Sequence, residues 1–103
     1  MKLIRYGEAN SEKPGLIDAS GNLRDLSDYI PDVDGRMLSR AKLDDLGRLT
    51  EETLPVVKGA PRLGPCIGSV GKLICIGLNF HEHAKETGNV VPEHPIVFMK
   101  ATS

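Results

Sequence analysis

The sequence predicts an α+β chain, and three observations predict it. Residues 2–6 alternate in polarity, residues 39–54 carry leucines near one helical face, and two short apolar runs, Lys72–Gly77 and Ile96–Met99, stand late in the chain. Alternation and short apolar runs are strand patterns, whereas recurrence near 3.6 residues is a helix pattern. The expected arrangement is a small N-terminal α/β domain over residues 1–60. The first strands and short helix of a second domain follow over residues 61–103.

Each element has a local reason. Lys2, Ile4 and Tyr6 point one way along the first strand, and Leu3 and Arg5 the other. Residues 15–18 and 23–26 flank the polar turn Ala19–Asn22, where Gly21 is free to take positive φ, so a β-hairpin is expected. Residues 27–38, polar and carrying Pro31 and Gly35, read as a loop or helical turn. Ser39 can cap a helix over 39–54 whose inner face is Leu43, Leu46 and Leu49. Gly47 weakens or divides that helix, and Pro55 ends it. Asp44–Asp45 and Thr50–Glu52 read as its solvated face. Gly59, Pro61, Gly64 and Pro65 then mark the boundary between the two parts.

The apolar run 72–77 fits a strand buried on both faces. Asn79 can cap a following helix, with Glu82 at its third position as in a capping box. That helix would run through Glu86 and stop at Thr87–Gly88. At about two turns it needs tertiary support. Pro92–Pro95 reads as a rigid loop, and Ile96–Met99 as a second buried strand ending at Lys100.

Composition narrows the function. The chain has 103 residues, 40% hydrophobic and 26% charged, so it is not depleted in the way disordered segments are. Only 4% is aromatic and there is no Trp, which leaves an aliphatic core. Net charge is −1, with no concentrated basic patch for a phosphate backbone. No apolar run approaches the ~20 residues of a membrane span. Charges recur through Met1–Glu8, so a signal-peptide core is absent. The expectation is a soluble cytoplasmic protein with neither nucleic acid nor membrane as partner.

Three motifs fail on inspection. The cysteines, Cys66 and Cys75, sit in aliphatic surroundings without a cationic neighbour and read as reduced, packed thiols. Gly71–Lys72 lacks the rest of a phosphate loop, because Cys66 stands where Gly is needed and Leu73 where Ser or Thr is needed. His81–Glu82 would begin H-E-x-x-H, but Lys85 occupies the second His position. His81 and His83 diverge on a helix and could share a metal only on a strand, which the cap signals oppose. His83 and Glu86, at i and i+3, can face each other on a helix. A carboxylate beside imidazole raises its pKa and fixes its tautomer, making a base near neutral pH. The plainer alternative is a solvated His and Glu on a short helix.

The run Lys72–Gly88, followed by Pro95-Ile-Val-Phe-Met-Lys100, resembles the fumarylacetoacetate hydrolase family. Its signature is an apolar strand, G-x-N-(Y/F), H-x-x-E on a short helix, and P-x-x-F-x-K. The match is dense over residues 62–103, and the first sixty residues resemble the small N-terminal domain of bacterial members. The resemblance implies that residues 61–103 begin a mixed β-roll catalytic domain. It implies that His83 and Glu86 are the proton-handling dyad and that Lys100 stabilises negative charge on the substrate. Asn79 and Phe80 would shape the helix entry. Ala101 stands where many members have Pro. The implied cofactor is Mg2+ or Mn2+, with carboxylate ligands expected beyond Ser103 and none among residues 64–103.

The implied substrate is a small oxo acid. The members most resembled are ureidoglycolate lyases, which make glyoxylate and urea, or 2-hydroxyhepta-2,4-diene-1,7-dioate isomerases and related C–C bond hydrolases. A non-catalytic truncated domain with an interaction role is the third reading. Members are usually much longer, so the 103-residue chain alone is expected to be inactive. Its apolar strands would be left with open edges, and a homodimer or other self-association is expected.

Overall fold

Alternating and apolar stretches become strands, and the leucine-spaced stretch becomes a helix. The computed structural model describes residues 1–78, 85–88, 90 and 93–102. In chain order they form β1 (Lys2–Tyr6), β2 (Lys13–Ile17), β3 (Leu23–Asp25), α1 (Arg40–Gly47), a 3-10 turn (Glu51–Thr53), β4 (Leu73–Gly77) and β5 (Ile96–Lys100). The fold is α+β. It divides into two compact units, Met1–Ser69 and Val70–Ser103.

The first unit is built on an antiparallel sheet in the order β1–β2–β3. Leu3 lies opposite Leu16, and Ile17 opposite Leu23. The β2–β3 turn is made by Asp18, whose Oδ1 accepts from the backbone N–H of Ser20 at 2.9 Å and of Asn22 at 2.8 Å. Gly21 takes φ +86° there, a region that favours glycine. Arg24 Nε donates to Asp18 Oδ2 at 2.8 Å, and chiefly for that reason the Asp18 carboxyl is lowered to about 2. Across the sheet, the Tyr6 hydroxyl donates to Asp25. Burial, with that bond second, pushes the Tyr6 phenol far above its ordinary value.

The core is aliphatic. Leu16, Leu26, Ile30, Val33, Met37, Leu46 and Leu54 form one buried cluster, with Leu3 and Leu49 against it. Ile30, Val33 and Met37 come from the polar stretch read as a loop or helical turn. Its backbone turns back on itself, with Ile30 N–H donating to Leu26 O at 3.0 Å and Met37 N–H to Asp34 O at 3.0 Å. Helix α1 starts as expected, with Ser39 Oγ accepting from Lys42 N–H. It ends at Gly47, the position expected to weaken or divide it, and of residues 48–54 only Glu51–Thr53 form a separate 3-10 turn.

Residues 55–64 run along both sides of the first sheet. Asp25 N–H donates to Pro55 O and Val57 N–H to Leu23 O, each at 2.9 Å, which covers the outer edge of β3. Gly7 N–H donates to Arg62 O and Gly64 N–H to Arg5 O, each at 2.8 Å, which covers the C-terminal end of the outer edge of β1. Unpaired sheet edges invite association, and short segments laid along them prevent it. Residues 61–69 make these bonds within the compact unit Met1–Ser69.

The second unit contains an antiparallel pair in which Leu73 faces Lys100, Cys75 faces Phe98 and Gly77 faces Ile96. Both strands were expected to be buried on both faces. They are not: Ile74 is 57%, Val97 61% and Met99 65% exposed. Two strands give no second layer, and among the described residues no other strand joins them.

Candidate functional site

The expected site residues all fall in the second unit. Leu78, directly after β4, takes φ +51°. Asn79, Phe80, His81, Glu82 and His83 lie outside the described residues, and so does the expected helix cap. The helix exit is described. Lys85 and Glu86 are helical, Gly88 N–H donates to Lys85 O at 3.1 Å, and Gly88 takes φ +71°. Glycine in the left-handed region after a helix is the stop expected at Thr87–Gly88. Glu86 is exposed at that end.

Lys100 closes β5. Directly opposed residues of an antiparallel pair share a face, and so do residues two apart. Leu73, Cys75, Gly77, Ile96, Phe98 and Lys100 therefore share one face, and Ile74, Ile76, Val97 and Met99 the other. The F-x-K spacing has a physical meaning here: it places Phe98 and Lys100 on the same side. A Cβ on Gly77 would lie 3.4 Å from the side chains of Ile96 and Phe98, an ordinary contact distance, so both side chains lie over the strand end. Lys100 is exposed, and no ion pair joins it to Glu86 among the described residues.

The described residues hold no group of three or more His, Cys, Asp or Glu able to bind a metal ion. Both cysteines are free. Cys75 is half-buried on the Phe98 face, whereas Cys66, expected to be packed, is exposed. A cavity of about 320 Å³ opens in the first unit between Tyr29–Pro31, Met37 and α1, and none of the expected site residues lines it.

Sequence reasoning overlooked a charge cluster in the first unit. Arg5 donates to both Asp32 oxygens, at 2.7 and 3.1 Å, and lies 3.6 Å from Glu12. Arg62 donates to Glu12 Oε1 at 3.1 Å. Four charges this far apart in sequence leave no local motif.

No family model matches the chain. Curated relatives match it from end to end. Proteins from Burkholderia lata and Burkholderia cenocepacia are 53% identical over 103 residues, and one from Burkholderia multivorans is 54% identical. Each carries the name "Putative hydrolase", and the chain spans 36% of the length of each. Among the described residues, no helix is long and apolar enough to cross a membrane.

Proposed function

We propose that this chain is the N-terminal part of a divalent-metal-dependent enzyme of the fumarylacetoacetate hydrolase type, cytoplasmic, acting on a small oxo acid in the manner of a ureidoglycolate lyase. One observation carries the reading. Gly77-x-Asn79-Phe80, His83-x-x-Glu86 and Pro95-x-x-Phe98-x-Lys100 occur in order, in a chain whose full length matches proteins named as hydrolases. The helix stop after Glu86 and the shared face of Phe98 and Lys100 support it.

In this reading Glu86 orients the His83 imidazole and His83 moves the proton. On ureidoglycolate, His83 takes the hydroxyl proton as the carbonyl forms. The carbon–nitrogen bond breaks, and the proton passes to the departing nitrogen, giving glyoxylate and urea. Lys100 holds the negative charge of the substrate. Mg2+ or Mn2+ would supply Lewis acidity at the substrate oxygens. The resemblance puts its carboxylate ligands beyond residue 103, and among the described residues no group of three or more His, Cys, Asp or Glu could hold it.

The relatives' name favours a second reading, hydrolysis of a carbon–carbon bond in a dioxo acid. Isomerisation of 2-hydroxyhepta-2,4-diene-1,7-dioate would use the same dyad.

The test uses the polypeptide carrying these residues at the full length of its relatives, assayed with Mg2+. Equimolar glyoxylate and urea from ureidoglycolate are expected, with none from the 103-residue chain alone. His83→Ala should lower kcat about 10²–10⁴-fold and leave Mg2+ binding by calorimetry intact. Unchanged turnover in that variant would remove the dyad. Cleavage of a dioxo acid with none of ureidoglycolate would replace the lyase reading with the hydrolase one.

A further inference from the structure

The strap at residues 61–69 is held differently from the rest of the first unit. Its larger apolar side chains are left out of the core: Leu63 is 59% and Ile67 36% exposed. Three backbone bonds hold it instead, from Gly7 N–H to Arg62 O, from Gly64 N–H to Arg5 O and from Gly68 N–H to Val33 O, each 2.8 Å. The charge cluster adds to these. Glu12 lies between Arg5 and Arg62, and its side chain is only 7% exposed. Arg62 Nη1 also donates to Gly7 O at 3.2 Å, and Arg5 Nη1 to Pro65 O at 3.4 Å. The strap passes so close that a Cβ on Gly64 would meet Glu12 Cγ at 2.7 Å, and one on Gly68 would meet Asp32 Oδ2 at 2.6 Å.

We infer that residues 61–69 form a clasp that opens as one unit on acidification while the apolar core of the first unit stays folded. Opening unpairs the Gly7 N–H and Arg5 C=O and bares the outer edge of β1. Two carboxyls carry the pH response. Glu12 is held below the ordinary range by a backbone hydrogen bond first and Arg62 second, with Arg5 also acting on it. Asp32 is held below it chiefly by the Arg5 hydrogen bond, supported by its bond from Val33 N–H and opposed by burial and by the neighbouring Asp34. Asp34 is itself bonded by Arg36, whose charge also feels Asp32. Carboxyls with lowered folded pKa values stabilise the closed clasp fully above the ordinary carboxylate range. That stabilisation is lost as pH falls through the lowered values.

The experiment is amide hydrogen exchange by NMR on the 103-residue chain, corrected for intrinsic rates. From pH 7 to pH 4 and below, protection at Gly7, Gly64 and Gly68 should fall together by about tenfold or more. Leu26, whose N–H donates to Pro14 O at 3.0 Å beside the core, should keep its protection. Glu12→Gln should reproduce the loss at pH 7. If that variant unfolds, Arg62→Ala serves, because Arg62 is half-exposed and outside the core. Three amides that stay protected at low pH, that open separately, or that open only together with Leu26 would overturn the clasp.

Discussion

Asp18 turns the β2–β3 hairpin by accepting from two backbone amides and from Arg24, so one small carboxylate fixes the register of two strands. Asp18→Ala should lower the Tm of the first unit by several degrees in a thermal melt. The native contribution has a defined pH window. The folded pKa of about 2 lies below the ordinary value of 3.8, so the stabilisation is complete above about pH 4 and disappears as pH falls towards 2. An acid titration of wild type against Asp18→Ala should converge there. Gly15 gives a second test. A Cβ at this position would meet Arg24 O at 2.8 Å and the Tyr6 ring at 3.1 Å. Backbone cannot yield as a flexible side chain can, so Gly15→Ala should destabilise by about 1–3 kcal/mol in urea denaturation.

The elements legible in the sequence were those whose cause is local. The alternation of β1, the polar turn around Gly21, the Ser39 cap and the Gly88 stop each depend on residues within a few positions, and each occurs as expected. The 27–38 stretch was not legible as core. Its buried residues Ile30, Val33 and Met37 follow Leu26 at helix-like spacing, while Pro31 and Gly35 break the backbone that would have announced a helix. The pairing of Arg5 with Asp32 and of Arg62 with Glu12 joins distant residues, and nothing local encodes it. Within the candidate site, the common face of Phe98 and Lys100 follows from alternation, whereas the expected pairing of His83 with Glu86 falls outside the described residues. Helix α1 ends at Gly47, where an added Cβ would meet nothing within 4 Å and φ is not left-handed. Gly47→Ala should therefore stabilise by about 0.5–1 kcal/mol, read as a higher urea midpoint with unchanged slope.

At the scale of the molecule the two units contrast. The first has a sheet with a segment bonded along each outer strand, and a buried aliphatic cluster. The second has a two-stranded sheet whose Ile74, Ile76, Val97 and Met99 face water. We expect the 103-residue chain to elute from size exclusion as a dimer or larger species and to bind a hydrophobic dye. Ile76→Lys with Val97→Glu should shift it to monomer and dim the dye. A wild-type monomer without dye binding would count against self-association through this face.

The strap along β1 also has a consequence in time. Arg5 reaches Pro65, 60 residues downstream. At roughly 5–20 residues per second of synthesis, the first strand waits about 3–12 s before its outer neighbour exists. The β2–β3 hairpin is made early in that interval, whereas Leu54 of the leucine cluster comes only shortly before Pro65. β1 therefore keeps an open outer edge while the later part of the first unit is still being made. A synonymous codon change that slows translation between residues 57 and 69 would lengthen that exposure without altering a single atom of the finished protein.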